Sequence, residues 1–418
     1  MKPAKFSHWL LFLFFFILPF CSHSLGVLTH EAIVDAAWDN AILPLLNKRY
    51  PGATADEIKD AHAHAYGGAV APDMGYYPGG SEFFTNLVHY VRSGDMVNAL
   101  LDEAVNRNQL AFALGFLSHY NADHYGHPLA TNKAVALVYP KIKRRFGNNV
   151  TYADDHLSHI RMEFGFDVLQ VAKGNYVSQT YRELIGFKVD TTVLAKAFLK
   201  VYGLDINKVH SNHFNRSVET FRWVVANIFP LITRQAWASR KNSIKKNDST
   251  ITAQRFNYKM RQKVYAKNFG TGYKRPGFFP TLVSFFLKVL PKVGPLRPLK
   301  FKVPTPEAEQ YFVKSFDTIL YHYTRDIKKV EDRQLNKKDI DFDTGNPTAL
   351  CEYVLADDTY SELLLTQKAN NYAGMPLALK QNIIRFYQTV QGPGVQHCSE
   401  FYTALGELRN NATSYTKE

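Results

Sequence analysis

Between Ala111 and Pro128 an apolar run ends in His119, Asp123 and His127, spaced four and four. At 3.6 residues per turn each step of four drifts by only about 40°, so the three side chains share one stripe of a helix. Pro128 disfavours helical geometry at His127, so the helix is expected to end there and the third ligand to swing towards a second centre. Two imidazoles and a carboxylate on one stripe suit zinc, which takes nitrogen and oxygen ligands. Any one such histidine, taken alone, reads more readily as a satisfied core residue than as a ligand. Three in register weigh against that, because an apolar helix has no packing reason to give one face to ionisable groups.

Helical periods recur along the chain and strand signals are scarce, so the expected fold is all-α, a multi-helix core with a mostly helical C-terminal extension. From Thr29, a candidate N-cap, Ile33, Ala36, Ala37, Ala41, Ile42 and Leu45 repeat at helical spacing. Thr54-Ala55-Asp56-Glu57 reads as a capping box opening a second helix, which Gly67-Gly68 should end. The glycine- and proline-rich stretch from Val70 to Gly80 reads as loop. Further helices are predicted from Asp95, from Asn132 to Phe146, Asp155 to Ala172, Thr191 to Tyr202 with Gly203 behind it, Ser217 to Ser239, Pro306 to Val330, Pro376 to Thr389 and Ser399 to Leu408.

The 418 residues begin with Lys2, Lys5 and an apolar run from Trp9 to Phe20, then Ser22-His23-Ser24. A basic start, a run too short to span a bilayer comfortably and small residues before a cut after Ser24 predict a secretory leader over 1-24. The protein would then act as secreted, periplasmic or cell-envelope material beginning at Leu25. Acylation at Cys21 is the rival, disfavoured by the bulky Leu18-Pro19-Phe20 before it. Cys351 and Cys398 remain, either bridged or as separate thiols.

Net charge is +13, of which the leader carries two, leaving +11. Sixteen Lys and Arg against the single acid Asp248 lie between Arg240 and Lys302. Such a stripe seeks a polyanion: an anionic membrane surface, a nucleic acid or a cell-wall polymer. Inside it, Phe278 to Pro291 is apolar, bracketed by Lys274, Arg275, Lys292 and Arg297, and too short to span a membrane. The polar run from Ser239 to Ser249 is the expected boundary between a core over 25-239 and a basic, aromatic-rich region over 240-418.

Other ligand-type residues fall at telling places: His30 just past a helix start, Asp73 after Pro72, His89 in Val88-His89-Tyr90, and His159 with Glu163 four apart. Singly they read as a helix-end residue, a turn former, a core histidine and a solvated face. Together and in this order they resemble the zinc-dependent phospholipase C superfamily. That family's pattern is an N-terminal residue binding zinc through amine and carbonyl, a Thr-His, a Pro-Asp, a histidine, a His-x-x-x-Asp helix with a further histidine, and a His-x-x-x-Glu pair. The matching positions here are Leu25, His30, Asp73, His89, His119 with Asp123, His127, and His159 with Glu163. Leu25 replaces the family's usual tryptophan. The gap from Asp123 to His127 and the Val88-His89-Tyr90 context look closer to glycosylphosphatidylinositol-specific phospholipase D than to the bacterial phospholipases C. The resemblance covers Leu25 to about Gln170, extending at most to Ser239.

The resemblance implies up to three zinc ions: one held by Asp73, His89, His119 and a bridging Asp123, one by Leu25, His30 and Asp123, and one by His127, His159 and Glu163. His62, His64, His124, His156 and Asp167 are left as surface groups or as orienting partners for metal-bound histidines. The implied activity is hydrolysis of phospholipid head groups by a metal-activated water, with Asp73 as a candidate base. A zinc-dependent single-strand nuclease is the rival enzyme, since nucleases of this superfamily share a similar ligand order and the basic segment suits a polyanion. A surface-binding module with structural zinc is the non-enzymatic rival; three ligand groups disfavour it, because a structural role needs one closed site.

Overall fold

The computed structural model describes residues 26–173, 175–176, 186–225, 300–390 and 399–410. Leu25, Cys21, Cys398, the leader and nearly all of the basic segment with its apolar insert lie outside them. Among the described residues the architecture is helical, with one isolated antiparallel bridge, Ile340 to Pro347, and no strand. No described helix is long and apolar enough to cross a membrane.

The central element is the helix Arg107–Gly126. Asn106 opens it, its side chain accepting from the Gln109 amide at 3.0 Å. The helix is buried on every side from Gln109 to Asp123, apolar from Leu110 to Leu117 and polar where it carries the ligand stripe. Against it lies Ala55–Val70, whose Thr54-Glu57 capping box forms as the sequence predicts. That helix does not end at Gly67-Gly68. The glycines instead let two backbones touch, since a Cβ on Gly68 would collide with the Phe112 carbonyl and one on Gly115 with the Ala65 carbonyl. The expected loop after it begins as a short 3₁₀ turn, Ala71–Tyr76.

Pro128 does not end the ligand helix. The chain widens into a π-turn over His127–Thr131 and continues as Asn132–Val138. A wider turn accommodates a residue that lacks an amide donor and whose ring crowds the carbonyl four residues back. That carbonyl, of His124, lies under Gly345, where φ is +74° and a Cβ would sit 2.8 Å from the oxygen. Pro140 splits the expected helix Asn132 to Phe146 in two.

The first helix, Val27–Ala37, starts at Gly26, and Thr29 lies inside it rather than capping it. Its cap is the Asp167 carboxylate, which accepts from the Leu28 and Thr29 amides at 3.1 Å and the Thr29 hydroxyl at 2.7 Å. Asp167 rides on His156–Ala172, itself capped by Asp155. The helix expected from Ser217 begins earlier, at Phe214. Pro306–Glu331 packs along the ligand helix, with the Tyr323 hydroxyl on the Leu114 carbonyl at 2.9 Å and Asn121 on Asp326 at 3.2 Å. Among the described residues, the helices Glu82–Tyr90 and Val354–Ala369 and the short Ile206–Val209 are not anticipated by the sequence periodicity.

Candidate metal centre

Eight of the nine sequence candidates converge in one buried site; Leu25, the ninth, lies outside the described residues. Side chains of His30, Asp73, His119, Asp123, His159 and Glu163 are at most 1 % exposed, with His89 and His127 little more. Five segments deliver them: the first helix, the 3₁₀ turn, the helix Glu82–Tyr90, the ligand helix with its π-turn, and His156–Ala172. Thr85 ties the second of these to the third, its hydroxyl donating to the Pro72 carbonyl at 2.7 Å and accepting from the Gly75 amide at 2.9 Å.

Asp123 is central. Its Oδ2 lies 3.0 Å from His119 Nε2 and 3.6 Å from His89 Nε2, and its Oδ1 lies 3.7 Å from His30 Nε2 and 3.9 Å from His127 Nε2. Asp73 Oδ1 is 3.3 Å from His89 Nε2. On the far side, Glu163 Oε1 is 2.8 Å from His159 Nε2 and 3.2 Å from His127 Nε2. Donor atoms around a tetrahedral zinc with bonds near 2.0 Å are roughly 3.3 Å apart, so these spacings suit edges of coordination polyhedra.

Two imidazoles make the strongest case. His89 Nδ1 faces the Thr85 carbonyl and His119 Nδ1 the Ala69 carbonyl, at 2.8 and 2.9 Å. With Nδ1–H donated, each ring turns an Nε2 lone pair inward, and the two Nε2 atoms are 3.3 Å apart. Facing lone pairs repel unless a cation lies between them. Both nitrogens of His30 and His159, both oxygens of Asp73 and Glu163, and Asp123 Oδ1 are buried without a hydrogen-bond partner. Leaving so many polar atoms unpaired is costly in a protein interior, so the donor set fits zinc.

The electrostatics agree. Burial drives the His30 imidazole well below its ordinary value, and the neighbouring histidines add to it. Burial also opposes charge on His119, but Asp123 and Asp73 outweigh it and hold that imidazole at about 8. Burial works against the Asp123 charge, yet His119 and His127 hold its carboxyl far below the usual range. Asp123 is therefore negative at neutral pH, and a cation replaces protons on the imidazoles when it binds.

One site residue escaped the sequence reading. Asp343 Oδ1 lies 3.0 Å from His127 Nδ1, and His127, His159 and Asp343 form a group whose donor atoms all fall within 4.8 Å of one another. The other two such groups are His30 with His119 and Asp123, and Asp73 with His89 and His119. An Asp in a Thr-Gly turn reads as a turn former, and nothing in its spacing ties it to His127. Of the residues left aside, Asp167 is buried as a helix cap and burial pushes it up to about 7. His62 is buried against Trp38 and bonded to Asp35 at 2.8 Å, so neither is a surface group. His156 is exposed, and His64 and His124 are half-buried.

Residues 29–212 match the family described as zinc-dependent phospholipase C. No curated protein and no solved structure matches the chain at a significant level. The match spans every described ligand candidate from His30 to Glu163, in the family's order and in one buried cluster. The region 29–212 belongs to the zinc-dependent phospholipase C superfamily.

Proposed function

We propose that this protein is an exported zinc phosphodiesterase that hydrolyses phospholipid head groups. The observation that carries the proposal is the pair of inward-facing Nε2 atoms of His89 and His119 beside the unpaired carboxylate of Asp73 and the unpaired Oδ1 of Asp123. In this reading Asp73, His89, His119 and Asp123 hold one zinc, Asp123 is shared with a second on His30 and the Leu25 terminus, and His127, His159 and Glu163 hold a third.

Bound zinc acidifies water and offsets charge on phosphoryl and leaving oxygens. The chain's residues supply the rest. The carbonyls of Thr85 and Ala69 keep His89 and His119 in one tautomer, so neither ring competes for the attacking proton. Asp73, beside His89, is the group proposed to take that proton. Tyr76 and Tyr152, with ring centroids 6.3 Å from each other, flank His89 and His159 and form an aromatic border for the head group.

Purified protein assayed on a panel of phospholipids and on single-stranded DNA, with and without chelator, tests this. Chelator-sensitive release of phosphorylated head group or of diacylglycerol is expected. Cleavage of DNA with inert lipids would replace the proposal with the nuclease reading, and no turnover of either with zinc retained would favour a structural role.

A further inference from the structure

Asp343 belongs to the C-terminal region, far beyond the residues that match the family, yet it is pinned at the third ligand group. Its backbone is held from two sides: the amide donates to Asp341 Oδ1 at 3.0 Å, and the carbonyl accepts from Asn132 Nδ2 at 2.8 Å. Asp341 also accepts from the Thr344 amide at 2.7 Å, closing the turn, and Ser93 clasps Ile340 by donating to its carbonyl at 2.7 Å and accepting from its amide at 3.0 Å. The carboxylate is equally fixed. Its Oδ2 accepts from the Tyr90 hydroxyl at 3.0 Å and from the Tyr353 hydroxyl, which leaves Oδ1 facing His127 Nδ1.

A histidine can bind a cation only through a nitrogen without a proton, and its other nitrogen then carries one. His127 Nε2 points towards Glu163 and Asp123, and a carboxylate beside Nδ1 favours the tautomer protonated there. We propose that Asp343 is the positioning residue of the third metal centre, holding His127 in the tautomer and ring orientation that present Nε2 to the cation. His89 and His119 have backbone carbonyls for this task, whereas His127 has none among its described partners. The centre is therefore assembled jointly by the family region and by the C-terminal region. This inference rests on the zinc reading above, and the experiment separates the two.

Metal-free full-length protein is titrated with zinc against a competing chelator, giving the number of sites and the affinity of each. Wild-type protein that binds no zinc would end the zinc reading itself. If wild type binds three, Asp343→Ala should still bind three at saturation, with one site weakened 10- to 100-fold and the others unchanged. Asp343→Asn, which keeps the shape and can accept through its amide oxygen, should fall between the two. The melting temperature of metal-free Asp343→Asn should stay near that of the metal-free wild type, which a merely structural role would not predict. Unchanged affinities in Asp343→Ala, or in Asp343→Asn should the alanine variant fail to fold, overturn the proposal. Permanent loss of one equivalent at saturating zinc in both variants also overturns it, making Asp343 a direct ligand.

Discussion

The ring of Phe342 meets the ring of His89 edge-on at 5.1 Å, although the two come from opposite ends of the chain. Phe342 is fully buried and also lies 5.8 Å from His119 and 5.4 Å from Tyr120, so it backs two ligand histidines at once. Truncation to alanine removes a large side chain from a packed site. Phe342→Ala is expected to lower the unfolding free energy by about 3–5 kcal/mol in chemical denaturation, and to broaden the metal-binding isotherm as His89 and His119 lose their backing.

Asp123 lies within 3.9 Å of the ring nitrogens of four histidines, His30, His89, His119 and His127, from positions that suit a bridge, while Glu163 lies beside His127 and His159. Asp123→Asn should therefore lose more than one zinc by elemental analysis and all activity, and Glu163→Gln about one zinc and only part of the activity. Equal metal losses would contradict the bridge.

Asp339 sits partly buried at the start of Ser93–Glu103 and accepts from the Gly94 and Asp95 amides at 3.1 Å each. Burial and the neighbouring Asp95 charge raise its carboxyl to about 6. A folded value above the unfolded one means that the stability contributed by this group is full below about 4 and is lost as pH rises through about 6. Relative to wild type, Asp339→Asn should gain on the order of 1 kcal/mol between pH 4 and pH 7, a figure reduced for partial solvent screening. Parallel pH curves for the two proteins would refute the shift.

Gly26 leads into the first helix against the Asp167 carboxylate, and a Cβ there would overlap that side chain. If the protein is exported and the amine of Leu25 is a ligand, the mature chain must begin at Leu25, and mass spectrometry should show that terminus. Gly26→Ala should shift the helix start and weaken one zinc site. A protein acylated at Cys21 would remove the terminal ligand and the argument for it.

A Lys or Arg close to an anionic leaflet contributes on the order of 1 kcal/mol, so a few of the sixteen basic residues could hold the enzyme at its substrate. Sedimentation with anionic vesicles should weaken with salt and in the combined variant Lys274→Glu, Arg275→Glu and Lys292→Glu, while turnover of a small soluble phosphodiester stays constant. Undiminished vesicle binding would assign the contact elsewhere, and preferential retention on single-stranded DNA would favour the nuclease.

The spacing of His119, Asp123 and His127 was legible because ligands on one helix must obey its period, and so was the His159–Glu163 pair. The order of the remaining ligands was legible only through the family resemblance. Pro128 misled because backbone preference predicts a stop where the fold supplies a wider turn. Gly67 and Gly68 misled in the same way: a glycine pair marks either a helix end or a close crossing, and only the partner helix decides. Asp343 was invisible because its role depends on a tertiary contact with His127, and periodicity carries no information about that.

The glycine crossing of the two central helices also acts as a gauge block. Gly68 rests on the carbonyl of Phe112 and Gly115 on that of Ala65, and His119 reaches across to Ala69. The spacing between the strip that leads to Asp73 and the strip that carries His119 and Asp123 is thus set by main chain against main chain, with no flexible side chain between. A single methyl inserted at either glycine would separate the two jaws of the site, and the tolerance for metal–metal distance would be exceeded without any ligand having been changed.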